Sequence, residues 1–395
     1  APRLPDEAAV RELDLAFYRR RVASDPYGAA DRAHLAALYL RRAQATGSDS
    51  DLRHAEAAAR ASLARRSAHN QTARQVLASA LMGQHRFAEA LEVARALAAE
   101  APEEPVHRSL VAENLLELGR YAEAAREFGR LGSARRNPVV ALRLARWAEL
   151  RGRIEEAFAL RREARRRALA RHGLPREQRA WFHLQVGELA LRYGRLREAH
   201  RAFQAGLAEA PGDHRLLAAQ ARLEAARGRW HRVVTHAREA WARAPEPATL
   251  AQLGEAYAAL GDSARAERCH DAFEAAATRS GTFERAWAHL LLDHGRRTDE
   301  VLEQARRDIR TRRDVHGYDL VAWALYRNGR LEEARAAMDS ALALGTREPT
   351  LLHHAAAIAR AAGDTAAAGR FLTRAAAVAP GYPVPPAPGR AGPQP

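Results

Sequence analysis

The residues that could do chemistry in this chain are few and scattered. Histidine pairs up at His353-His354, and a second polar cluster reads HGYD at 316–319. Adjacent residues on a helix point about 100° apart, so His353 and His354 cannot chelate one ion together, and no histidine pair stands at i, i+4 with a carboxylate to form a zinc site. Glu155-Glu156 and Glu332-Glu333 are paired carboxylates, but each pair follows a turn, where acidic groups favour a helix N-terminus. The single cysteine, Cys269, excludes internal disulfides and Cys-rich zinc frameworks, and its setting in ERCHDAF suits a small packing residue. No nucleophile elbow, phosphate loop or HExxH motif is present. The chain is therefore expected to be no enzyme, with no cofactor and no metal.

What positions these residues is a repeated phrase. LELGRYAEAA at 116–125, LRYGRLREAH at 191–200 and LYRNGRLEEA at 325–334 are versions of one sentence. Aligned on their turn residue they give Gly119, Gly152, Gly194, Gly228, Gly261, Gly295, Gly329 and Gly363, and the last six follow one another at 33 or 34 residues. That period fits two helices and their short turns. About seven residues before each turn stands a small residue (Ala112, Ala145, Gly187, Ala221, Gly254, Ala288, Ala322, Ala356). Five residues after it another usually follows (Ala124, Ala157, Ala199, Ala266, Ala334, Ala368). Small side chains at both places let antiparallel helices approach closely. The turn glycine can adopt the left-handed conformation that ends a helix, and Pro102, Pro138, Pro211, Pro245 and Pro380 punctuate the ends of second helices. Gln84-His85 replaces one turn glycine, the Gly152 to Gly194 interval is stretched to 42, and Glu300 stands where a small residue is expected.

Composition agrees. Apolar residues are 47% of the 395 and aromatics 6%, with abundant alanine, which favours helix over strand. No apolar run is long enough to span a membrane. All 63 basic residues are arginine and the net charge is +15; a chain without lysine and rich in Ala, Gly, Pro and Arg is what a GC-rich, bacterial genome would write. Acidic residues are interleaved with the arginines on most helices, as on solvated faces. Nucleic acid is therefore disfavoured as a partner, the basic segment 161–179 being the one stretch that could take an anion. The six tryptophans stand at helix-packing spacings and read as filler between layers. The start at Ala1 fits either a signal peptide removed upstream or a Met trimmed before a small residue, and an exported location in the periplasm or at the cell surface is slightly favoured over the cytoplasm.

The spaced small residues, the turn glycine, the EA pair and the terminal proline, as in GRYAEA at 119–124 with Pro211 and Pro380 further on, resemble the tetratricopeptide repeat family over roughly residues 70–380. The resemblance implies an all-α, right-handed α-solenoid of about eleven antiparallel helical hairpins. Residues 1–26 are expected to be an N-terminal capping helix, 27–69 a divergent first hairpin, 70–380 the repeat array, and 381–395 a Pro/Gly-rich tail. In this family first helices line a concave groove. Carried over block by block, the groove positions are Glu113, Arg146, Glu149, Glu188, Arg215, Arg222, Glu255, Arg285, His289, His316, Asp319, Trp323, Tyr326, His353 and Arg360. Asparagine occurs only at 70, 114, 137 and 328, none at a position that would clamp a C-terminal carboxylate.

These positions suggest a non-catalytic interaction scaffold holding a protein or peptide in its groove. Replacing Asp319 and Trp323 by alanine is expected to weaken binding without unfolding the array. The alternative is a structural protein that self-associates into a ring or filament through terminal repeats and the Pro-rich tail.

Overall fold

A computed structural model describes residues 7–279 and 283–380 of the chain. The tail 381–395 and the first six residues of the expected cap lie outside the described residues. Twenty-one α-helices and one short 3-10 turn make up the described part, and no strand is present among the described residues. None of these helices is long and apolar enough to cross a membrane. The chain divides into two compact units, Ala1–Arg143 and Leu144–Pro395.

Helices pack with their chain neighbours as antiparallel pairs. In the first unit α2 (Ala29–Thr46) pairs with α3 (Asp49–Arg65), α4 (Gln71–Gly83) with α5 (Phe87–Glu100), and α6 (Pro105–Glu117) with α7 (Tyr121–Gly129). The helix α1 (Glu7–Ser24) lies against α2, placing Leu15, Tyr18 and Val22 in a core with Leu35, Tyr39, Leu77 and Leu81. In the second unit the pairs are α10 (Arg176–Arg192) with α11 (Leu196–Glu209), α12 (His214–Ala226) with α13 (Trp230–Arg243), α14 (Pro247–Ala259) with α15 (Ser263–Arg279), α16 (Arg285–Asp293) with α17 (Thr298–Asp308), α18 (Val315–Arg327) with α19 (Leu331–Leu342), and α20 (Pro349–Ala361) with α21 (Thr365–Val378). The helix α8 (Pro138–Leu150) crosses the division and is followed by α9 (Ile154–Leu169).

The repeated phrase acts locally as foreseen. All eight turn glycines have φ between 66° and 83°, a region that costs an L residue about 1–2 kcal/mol. At Gly329 the chain closes a Schellman turn: the Gly329 amide donates to the Tyr326 carbonyl at 3.0 Å and the Arg330 amide to the Leu325 carbonyl at 2.9 Å. Where glycine is missing the geometry persists, since His85 itself takes φ 58° and the Arg86 amide reaches the Leu81 carbonyl at 2.9 Å. The small residues before and after the turns are buried, and the two that are glycine show why. A Cβ on Gly187 would lie 2.3 Å from the Phe203 ring, and one on Gly254 2.3 Å from the His270 ring.

Three details differ from expectation. Pro138 opens α8 rather than closing a second helix, a position where its missing N–H costs nothing. The stretched interval is absorbed by long helices, 16 residues in α9 and 17 in α10. At Glu300 the turn holds an extra left-handed residue, Arg297 at φ 51°, which moves the register by one so that Val301 packs inside and Glu300 pairs with Arg297 on the surface.

The second unit closes on itself. The turn at Gly152 touches residues 345–347, close enough that a Cβ on Gly152 would sit 2.6 Å from the Gly345 carbonyl oxygen. Val378, at the end of α21, packs on the core built by Ile154, Phe158, Tyr193, Phe203 and Leu216.

Candidate functional site

First helices of consecutive pairs touch side by side: α10 meets α12, α12 meets α14, α14 meets α16, α16 meets α18, and α18 meets α20. Along this layer several groove positions are bridged from one pair to the next. Glu188 on α10 binds Arg222 on α12 at 2.5 Å. Glu255 on α14 lies 3.6 Å from His294, just after α16. In the first unit Glu113 on α6 makes the equivalent bridge to Arg143 at 2.5 Å. The offsets of 30, 34 and 39 residues among these partners are close to the repeat period, read in side chains.

The densest part of the layer joins α16, α18 and α20. Asp319 Oδ1 is 2.9 Å from His354 Nδ1, and Asp319 Oδ2 is 3.6 Å from His289 Nε2. The three ligand atoms lie within 4.8 Å of one another. Trp323 lies parallel to the His354 ring at 4.1 Å, Tyr326 stacks on its indole at 4.9 Å, and its Nε1 donates to Asp293 at 2.8 Å. Asp319, Trp323 and His354 are buried, while His289 keeps 24% of its side chain exposed.

Burial opposes charge throughout this cluster, and partners decide the outcome. It pushes the His289 imidazole down to about 4 despite Asp319. For His354 burial acts downward too, but Asp319 outweighs it and the pKa is raised. Burial would lift the Asp319 carboxyl, yet His354 and the neighbouring imidazoles hold it below the usual range. Asp293 is raised by burial.

A second buried network adjoins. Glu149 on α8 accepts from Arg192 at 2.6 Å and from Arg161 at 3.3 Å, and Arg161 also donates to the Gln185 carbonyl at 2.7 Å. Burial disfavours the Glu149 carboxylate, but Arg192 and Arg161 together lower its pKa. Arg192 then lies 3.8 Å from Glu348, which lies 3.8 Å from His316. The row of polar groups Glu149, Arg192, Glu348 and His316 therefore spans α8 to α18 across the closure.

Not all groove positions join these clusters. Arg285 is committed to Asp308 at 2.7 Å and Asp314 at 2.6 Å, locking the start of α18, whose N-cap Asp314 also accepts the His316 amide at 2.9 Å. Arg215 pairs with its own N-cap, Asp213, at 2.6 Å. In burial, Arg146 and His353 are intermediate, as is the Tyr326 that stacks on Trp323, and Arg360 is exposed. Asp319 and Trp323, which were expected to be replaceable without unfolding the array, are both buried and bonded to side chains of neighbouring pairs. The basic segment is largely paired as well, Arg162 with Glu198 at 2.7 Å and Arg179 with Glu209 at 2.8 Å.

His354 is the residue local spacing hides. Its immediate neighbour His353 cannot share an ion with it, and its partners stand 35 and 65 positions upstream. Only the repeat period, which brings 289, 319 and 354 to adjacent helices, could have pointed to it.

These hairpins, with left-handed turn glycines, small residues at each crossing and first helices in one layer, form an array of antiparallel helical repeats, the arrangement that the tetratricopeptide resemblance implies. No family model matches the chain, and no curated protein matches it. Among solved structures it is similar to PilW, described as a widely conserved type IV pilus biogenesis factor, at 17% identity over 56% of this chain and 99% of that one, TM-score 0.44. It is similar also to a human IFIT1 dimer with PPP-AAAA, at 14% identity over 95% of this chain and 96% of that one, TM-score 0.47, and to yeast Tom70, at 11% over 89% and 92%, TM-score 0.37. At these identities the likenesses concern fold, and nothing about partners follows from them.

Proposed function

We propose that this protein is a non-catalytic interaction scaffold whose first-helix layer in the second unit holds a polypeptide partner. The observation that carries the reading is the alignment of hydrogen-bonding side chains on neighbouring first helices, with Arg222, Glu255, His289, His316, Tyr326, His353 and Arg360 all at least partly exposed. A mixed row of arginine, carboxylate, imidazole and phenol repeated at helix spacing suits a peptide chain, whose backbone offers donors and acceptors at every residue. The experiment is a binding titration of a captured partner peptide against the full chain and against Arg222→Glu with Arg360→Glu. Both residues are exposed, so the fold is expected to survive. A loss of affinity of about ten-fold or more supports the face, and unchanged affinity removes it.

Self-association is the second reading, favoured by one observation in the first unit. On α1, Val10, Leu13 and Phe17 form a stripe at helical spacing and are 42%, 66% and 47% exposed, a face of the kind that a second copy would cover. Light scattering of the chain beside Leu13→Glu tests it. Assembly abolished by the substitution supports self-association, and a monomer at all concentrations rejects it.

A further inference from the structure

We infer that His289, Asp319 and His354 form a binding site for a single divalent transition-metal ion of the zinc type. The ligand set is two imidazoles and one carboxylate, one from each of three consecutive first helices. Zinc holds nitrogen at about 2.0–2.1 Å and carboxylate oxygen at about 2.0–2.2 Å, so tetrahedral donors stand about 3.4 Å apart. Asp319 reaches His354 Nδ1 with Oδ1 at 2.9 Å and His289 Nε2 with Oδ2 at 3.6 Å, and one donor from each of the three residues falls within 4.8 Å of the others. Convergence on one ion would turn the two imidazoles from their stacked arrangement so that the ion lies in the plane of each ring. Among the described residues no other trio of His, Cys, Asp and Glu converges in this way.

The surroundings hold the ligands in place. The His354 ring is held between Trp323 at 4.1 Å and His289 at 5.6 Å, both nearly parallel to it, and Trp323 is fixed in turn by Asp293. Three protein ligands leave a fourth position open, and the partial exposure of His289 gives it access to solvent. Titratable neighbours on the packed elements are Asp293 and His316, with Glu348 beyond, and the nearby cation Arg285 is already paired with Asp308 and Asp314. The metal would take the Nδ1 lone pair of His354, and the proton that bridges it to Asp319 would pass to solvent. Two imidazoles with one carboxylate favour zinc, cobalt or nickel over calcium or magnesium, which prefer all-oxygen sites.

The full chain, stripped with a chelator and dialysed, is titrated with Zn²⁺ in a calorimeter and with Co²⁺ in an absorption cell. One equivalent per chain is expected, with the intense visible bands of four- or five-coordinate Co²⁺. Losing a residue that merely supports a ligand already costs 10- to 100-fold in affinity, so His289→Gln and Asp319→Asn should each cost at least about ten-fold. His231→Gln, on an exposed histidine of α13, should change nothing. Asp319 is buried, so if Asp319→Asn does not fold, the partly exposed His289 carries the test. Absence of the cobalt bands, or equal affinity for wild type and His289→Gln, overturns the site.

Discussion

Glu188 and Arg222 join α10 to α12 much as Asp319 and His354 join α18 to α20, yet the first pair stands in water and the second does not. The side chains of the first are 23% and 46% exposed, those of the second 3% and 8%. In water the Coulomb gain is screened and the pair contributes about 0–1 kcal/mol. Under the Trp323 indole both charges have lost their hydration, so each depends on the other. One repeat plan thus produces an adjustable surface at one end of the layer and a fixed polar core at the other.

The largest expected effect follows from removing one buried partner. Asp319→Ala leaves a buried imidazole whose positive form no longer has its counter-charge, and breaking such a pair costs about 3–5 kcal/mol. Urea unfolding in the presence of a chelator measures it. A cost below about 1 kcal/mol, equal to that of the exposed pair, would mean that burial does not separate the two regions.

The closure of the second unit can be tested by two glycines with the same backbone strain. Gly152 and Gly329 have φ of 69° and 73°, but a Cβ on Gly329 meets nothing within 4 Å, while one on Gly152 meets the Gly345 carbonyl and the Arg347 side chain. Gly329→Ala should cost only the left-handed strain, about 1–2 kcal/mol. Gly152→Ala should add overpacking of about 1–3 kcal/mol, because a backbone oxygen cannot swing aside. Equal melting temperatures for the two variants would mean that the 345–347 loop does not press on the turn.

Much of this architecture was legible in the amino-acid order. Turn glycines and small crossing residues act within a single hairpin, where local rules suffice, and even His85 obeys the turn that its neighbours demand. The groove positions were legible as a layer, because one side of each first helix returns at the repeat period. What the order could not give is how deeply each position sinks. Trp323 and Asp319 share a helix with the half-exposed His316 and Tyr326, and their burial comes from α16 and α20 on either side. The meeting of Gly152 with Gly345 is likewise set by small rotations accumulated over many pairs, which no single phrase encodes.

Acid should weaken the second unit through neutral histidines that are buried or half-buried. Burial is the main cause that lowers His183, His214, His236 and His270 below 6.5. Their folded forms refuse protons that the unfolded chain accepts. The stability they contribute is complete above pH 6.5 and is lost as pH falls through their depressed folded pKa values. His354 has the opposite sign, being raised, and its contribution is present below 6.5 and lost as pH rises through its folded pKa. Thermal melts from pH 7.5 to 4.5 should show Tm falling on the acid side by roughly 2–4 °C for each kcal/mol lost. His236→Gln should flatten that limb, and a Tm independent of pH would contradict the burial of these rings.

The smallest effect belongs to the exposed bridge, and its smallness is useful. Glu188→Ala should cost no more than about 1 kcal/mol in low salt. At 1 M salt, where the Debye length is about 3 Å, the cost should shrink to the difference in helix propensity. A cost that persists undiminished in high salt would place Glu188 in a packed rather than a solvated setting. Where stability barely moves, a change in partner affinity must come from the surface itself. Arg222 is therefore a sharper probe of the interaction face than Asp319: its substitution alters the charge offered to a partner and leaves the array that offers it unchanged.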